Sequence, residues 1–469
     1  MRKITDNFCG YLKVGSDVFA YSVSNNIVTL LPAQSDPSKR NEVYDRVCSR
    51  NTDLSEYLFG EDYDGTVAIL RNGKFAVSPL GLNEAIKFAT PIIIKACGNA
   101  AGFFNMLTEP WDKFLAITFL GGNINALYNP QLAVEPSNVG EYLNNKGSQG
   151  LRLRPWENYT HSIGIEIDGE KALLMISISG NKENSTMEQR GAYNLGTLNS
   201  YIRLTFEKAQ SFEQIEKYYV IVKKLVSILT LQNNITFDVY LSQKNSDNKY
   251  FQTGTCKIFD SYENYSIRPF HRVIPIYNVF SCLPNLINMI AKGEADSLIT
   301  LLPEDNRRIN QIPITSIQDL CTALEVAYGW SNRGKEKDVL IEELKKAIKK
   351  AIRDFAENHV GEISVYDETT ISSAFQYLSY TLKQKILTLY NENHSIIDAI
   401  VSKCSLPQVN ATNIAAFVNL RNDKTHSGTV NWGNNVDIYP ALLALAYACL
   451  FKYAKLPDEI IEATLLQVF

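Results

Sequence analysis

The stretch Asn419 to Gly428, "NLRNDKTHSG", sets an arginine and a histidine five positions apart with only polar residues between them. A guanidinium stays protonated and offers a planar fork of donors matched to phosphate oxygens. An imidazole, with an ordinary pKa of ~6.5, takes up or releases a proton near neutrality. Arg421 and His426 together therefore have the means to hold a phosphate and move a proton. Five residues at ~100° each separate them around a straight helix, so convergence on one spot requires the helix to unwind near Lys424. Equally open from the chemistry is a plain basic helix end, where cations meet the negative end of the helix dipole.

Spacing alone does not select this pair. Arg154 and His161 stand in a Gly- and Pro-punctuated segment that feeds a hairpin, the context of a loop. Arg353 and His359 lie in a helix whose apolar rows continue through Phe355, which makes a solvated face the simpler reading. Arg421 instead follows the apolar run "IAAFVNL" and precedes Ser427-Gly428, a credible helix end.

The elements that must carry such a site are those of a 469-residue chain, long enough for two or three domains. Hydrophobic content of 45% with 20% charged residues is globular, and the net charge of −4 supplies no general field for nucleic acid. Any RNA contact must come from a local patch; Lys424, Lys346 and Lys350 are the candidates. The eight cysteines are scattered without a CxxC, which signals neither zinc nor a disulfide framework and fits a reducing cytoplasm. Walker-type, HExxH and G-x-S-x-G patterns are missing from the sequence, so no metal or cofactor is expected. "MRKITDNFCGYLKVG" lacks the apolar region of a secretory signal. The apolar run Ala441 to Phe451 rises only ~16 Å as a helix and is expected to be buried rather than to span a membrane.

Residues 1–270 read as strands. Asn25-Asn26, Asn72-Gly73 and Asp168-Gly169 each stand between apolar-rich runs, the last two being the strongest hairpin signals. Ser211 and Gln214 form a capping-box pattern before one clear helix to Leu231. Residues 135–160 are polar and Gly-bearing, the composition of a long loop. From residue 271 to 469 the apolar spacing is helical. The longest such segment carries the rows Leu340, Leu344, Ile348, Ile352 and Ala347, Ala351, Phe355. Its lysines 345, 346, 349 and 350 with Arg353 suit either RNA phosphates or a solvated face paired with Glu342 and Glu343. The expected fold is α+β: a β-rich domain, sandwich-like or a curved sheet, then an all-α bundle.

With "RNDKTH" ahead of a helix from Ile438, and "IQDLCTALEVAYG" earlier, the C-terminal part resembles the HEPN superfamily, whose mark is R-x4–6-H with a polar residue after the arginine. A β-rich half ahead of such a bundle is similar to the ApeA-type abortive-infection proteins. The resemblance implies a metal-independent endoribonuclease, acting in bacterial defence against phage. It would cleave host RNA, transfer RNA by family tendency, through attack of the 2′-hydroxyl, leaving a 2′,3′-cyclic phosphate. Arg421 and His426 would be catalytic, with Asn422 orienting the arginine or the phosphate and Glu325 holding the arginine. Trp432 is a candidate to stack a base. One histidine per chain does not readily serve as both acid and base, and the family's answer is a homodimer or higher homo-oligomer with two motifs across a shared cleft. Residues 1–270 would sense a phage-encoded protein. The rival expectation is a non-catalytic HEPN module that binds nucleotide or protein, alongside a ligand-binding β-domain.

Overall fold

The computed structural model describes residues 8–14, 17–33, 42–43, 57–63, 65–71, 76–80, 83–96, 107, 109–137, 150–180, 198–259, 272–306, 312, 314–331, 339–360, 362, 364, 367, 369–371, 381–427 and 436–469. The chain divides into two compact units at Tyr277/Asn278.

The first unit is built on strands β1 (Phe8–Val14), β2 (Asp17–Ser24), β3 (Ile27–Pro32), β4 (Tyr57–Asp62), β5 (Val67–Arg71), β6 (Ala76–Leu80), β7 (Asn83–Ala89), β8 (Ile92–Ala96) and β9 (Lys113–Leu120). Helix α1 (Gly122–Leu127) follows, then β10 (Val134–Ser137), β11 (Gly150–Leu153), β12 (His161–Ile167), β13 (Glu170–Gly180) and β14 (Leu198–Ser211). Helix α2 (Ile215–Thr230), β15 (Asp238–Lys244) and β16 (Tyr250–Ile258) complete it. Fourteen strands hydrogen-bond into one sheet, in the order β12-β13-β14-β9-β15-β16-β8-β5-β4-β1-β2-β3-β7-β6. The pairing of β16 with β8, Cys256 opposite Ile94, joins its two halves.

Interior strands are apolar on both faces: Val67 to Leu70 of β5 and Phe114 to Phe119 of β9 are all buried. One core gathers Leu12, Phe19, Leu30, Leu70, Ile86 and Ile93 from the β1–β8 half. In the other half α2 covers the face of β9 and β14 that carries Phe114 and Phe206. The Tyr218 ring lies 4.7 Å from Phe206 and 6.4 Å from Phe114. Within the sheet, Lys95 Nζ reaches Asp62 Oδ2 at 2.7 Å, and Asp62 Oδ1 accepts from Tyr63 N (3.0 Å) and Cys9 N (3.3 Å). Three donors thus satisfy a carboxylate whose side chain is fully buried.

The local turn signals had unequal outcomes. Asp168-Gly169 closes the β12–β13 hairpin with positive φ at both positions (51° and 86°), and Asn25 turns β2 into β3 with φ 54°. Asn72-Gly73 lies outside the described residues, and its flanking strands do not pair. Both edges of β5 are taken by β4 and β8, and β6 pairs with β7 at the sheet's end. The capping box is also absent. Ser211 Oγ accepts from Glu213 N at 3.3 Å and caps a 3-10 turn, Phe212–Gln214, so α2 begins only at Ile215. Residues 135–160 are not all loop: β10 and β11 pair as a two-stranded sheet, and Trp156–Tyr159 is a 3-10 turn.

The second unit is helical: α3 (Leu283–Ala291), α4 (Asp296–Ile299), α5 (Ile314–Ser331), α6 (Val339–Asn358), α7 (Leu382–Cys404), α8 (Ala411–Ser427), α9 (Tyr439–Tyr453) and α10 (Asp458–Val468). Its core is α9, buried from Ala441 through Phe451, against α5, α7 and α10. A capping box starts α7: Thr381 Oγ1 accepts from Gln384 N, and Gln384 Oε1 accepts from Thr381 N at 2.8 Å. No described helix is long and apolar enough to cross a membrane. In α6 the apolar rows are not core, contrary to the bundle expectation: Leu344 is 53% and Phe355 56% exposed.

Candidate active site

Helix α8 starts where Asn410 Oδ1 accepts the backbone N–H of Thr412 (3.0 Å) and Asn413 (2.9 Å), the N-cap geometry that ends the preceding loop. Ile414 and Phe417 are fully buried, and Arg421 is the next position on that row, four residues on. This phase explains why a charged residue is half-buried. It sits at the far end of a core-facing stripe that packs on α5 and α7. Arg421 Nη1 donates to Asn422 Oδ1 at 3.3 Å, so the neighbouring amide steadies the guanidinium.

Across from it on α5 lies Cys321. Burial pushes this thiol up to about 12, opposed by the nearby Arg421 charge and aided by Glu325 one turn further on. Glu325 Oε1 in turn accepts from Lys385 Nζ of α7 at 2.7 Å. This pair ties α5 to α7. Neither Cys321 nor Lys385 was singled out by sequence. Cys321 stands in the quoted "IQDLCTALE" segment, four residues before Glu325, but only the fold brings Arg421 to it.

The expected unwinding near Lys424 does not occur. Helix α8 runs through Arg421, Lys424 and His426 to Ser427, because the first residue free to break it is Gly428. Positions 421 and 426 are therefore about 140° apart around one helix axis. The side chains of Lys424 and His426, and the whole of Trp432, lie outside the described residues. The motif is followed by α9 and then α10.

The remaining candidates are dispersed. Lys346 and Lys350 are exposed on α6, where Lys345 Nζ pairs with Glu342 Oε1 at 3.0 Å, the spacing of a solvated, internally paired face. His359 stacks on Phe355 with ring centroids 4.2 Å apart, and its Nδ1 lies 2.9 Å from the Phe355 carbonyl. Arg154 pairs loosely with Glu135, Nε to Oε2 3.8 Å, and His161 meets Tyr128 edge-on at 6.0 Å. Among the described residues, no cluster of three or more His, Cys, Asp or Glu side chains is placed to hold a metal ion. Compared with family models, curated proteins and solved structures, the chain gives no match.

Proposed function

We propose that the C-terminal helical unit is a HEPN endoribonuclease acting in the bacterial cytoplasm as the effector of an abortive-infection response. The observation that carries this reading is the setting of Arg421. A guanidinium half-buried at the end of a core-facing helical row and steadied by Asn422 is a fixed donor fork of the kind that would suit a phosphate.

In this reading Arg421 binds the scissile phosphate and stabilises the charge that builds on it. Neutral His426 takes the proton of the 2′-hydroxyl, whose oxygen attacks phosphorus. A second His426, protonated, delivers a proton to the departing 5′-oxygen. The products are a 2′,3′-cyclic phosphate and a 5′-hydroxyl. Continuity of α8 through His426 keeps one chain's pair about 140° apart, which favours a site composed by two chains facing each other. Transfer RNA is the proposed substrate. Residues 1–270 serve as the sensor of a phage-encoded protein, and removing them is expected to abolish triggering.

The test compares wild type with Arg421→Ala and His426→Ala in phage-challenged bacteria, with the ends of cleaved RNA sequenced. Both substitutions should remove cleavage and protection without shifting the melting temperature. The same helical continuity favours one rival, a non-catalytic module in which Arg421 alone holds a nucleotide phosphate. That rival stands if His426→Ala still protects.

A further inference from the structure

A second basic site lies in the first unit, on the face of the sheet that carries Arg203. Arg203 of β14 is flanked in the cross-strand register by Met175 of β13 and Thr118 of β9. Its guanidinium carbon lies 4.5 Å from the centre of the Tyr250 ring, and Lys244 Nζ lies 5.3 Å from the same centre. Between these rows runs a floor of small side chains, Thr205, Ala116 and Ser242, paired across β14, β9 and β15. Ala116 is fully buried and Ser242 nearly so.

Arg203 Nε and Nη2 are both buried, and neither has a hydrogen-bond partner. These two nitrogens form the side edge of the guanidinium, where two parallel N–H bonds meet two oxygens of one oxyanion. Burial weighs against the Arg203 charge, and what supports it among the described residues is the tyrosines Tyr201 and Tyr250 rather than a carboxylate. A fork left empty in this way is costly, and an incoming anion relieves it. Tyr250 begins β16 after a turn and is 39% exposed, so its ring can leave the guanidinium without disturbing the sheet.

We propose that this face binds a phosphate group, taken edge-on by the Arg203 fork with Lys244 on a third oxygen, once Tyr250 swings aside. The site is independent of the nuclease reading and belongs to the other unit. Its ligand is inorganic phosphate or the phosphate of a mononucleotide, since both present the same oxygens.

Calorimetric titration of the full chain with inorganic phosphate, adenosine 5′-monophosphate and acetate tests this. Binding of phosphate identifies the free ion as ligand; binding of the mononucleotide alone identifies a nucleotide. Arg203→Met should weaken binding at least tenfold, and Tyr250→Ala should tighten it. If Arg203→Met does not fold, Arg203→Lys, which keeps charge and loses the fork, must show the same loss. The proposal is overturned if neither phosphate compound binds, if acetate binds as well as phosphate, if the arginine variant keeps its affinity, or if Tyr250→Ala fails to tighten binding.

Discussion

Lys385 Nζ lies 2.7 Å from Glu325 Oε1, joining α7 to α5 one turn from Cys321, the thiol on which the Arg421 charge acts. The α5–α7 ion pair and the Cys321–Arg421 approach join segments distant in sequence. Losing either partner of the ion pair should loosen the helical unit modestly, because both side chains are partly exposed. Glu325→Gln or Lys385→Met is expected to lower stability by about 1 kcal/mol in urea unfolding, with a double-mutant coupling no larger.

The two-chain site makes a sharper prediction than single substitutions do. Arg421→Ala and His426→Ala should each lower RNA cleavage by ~100-fold or more. Co-expressed with wild type, His426→Ala should act as a dominant negative, since a mixed dimer keeps one histidine where the reaction uses two. Cleavage that falls only in proportion to the variant's share of the chains would show that each chain works by itself.

Asp62 is a fully buried carboxylate in the first unit, with Lys95 and two backbone N–H groups as its donors. Lys95→Met removes the only cation among these and leaves a carboxylate with no route to water. A loss of ~3 kcal/mol is expected from urea unfolding followed through the β signal.

Burial pushes the thiols of Cys321 and Cys449 up to about 12, against an ordinary value near 9. Their folded-state values lie above the unfolded ones, so the stability they contribute is complete below pH ~8.5 and falls as pH rises through the interval up to about 12. Urea midpoints should therefore drop between pH 8 and pH 10. At pH 8 a disulfide reagent should label Cys9, which is exposed, and spare Cys321 and Cys449 until the chain unfolds.

What the sequence disclosed was mostly local. Asp168-Gly169 makes its hairpin because two residues with positive φ suffice to define the turn. Asn72-Gly73 misled because the neighbours of β5 are chosen by a row of apolar side chains that needs cover on both faces and both edges, a demand met by β4 and β8. The end of α8 was legible at Ser427-Gly428, but the unwinding that convergence required near Lys424 does not occur, because Asn422, Asp423 and Lys424 are polar and do not break a helix. The exposed rows of α6 show the reverse limit, since helical periodicity reports a helix and not its burial. Cys321 beside Arg421, and the empty Arg203 fork, arise from pairings across distant segments and carry no spacing signal.

The seam between β8 and β16 also sets an order of events during synthesis. Ile92, Ile93 and Ile94 leave the ribosome long before Cys256, so one edge of a bare isoleucine strand stays open meanwhile. At ~5–20 residues per second that interval is roughly ten to thirty seconds. Nascent chains arrested short of β16 should accordingly be captured by holdase chaperones, and release should coincide with emergence of the last strand.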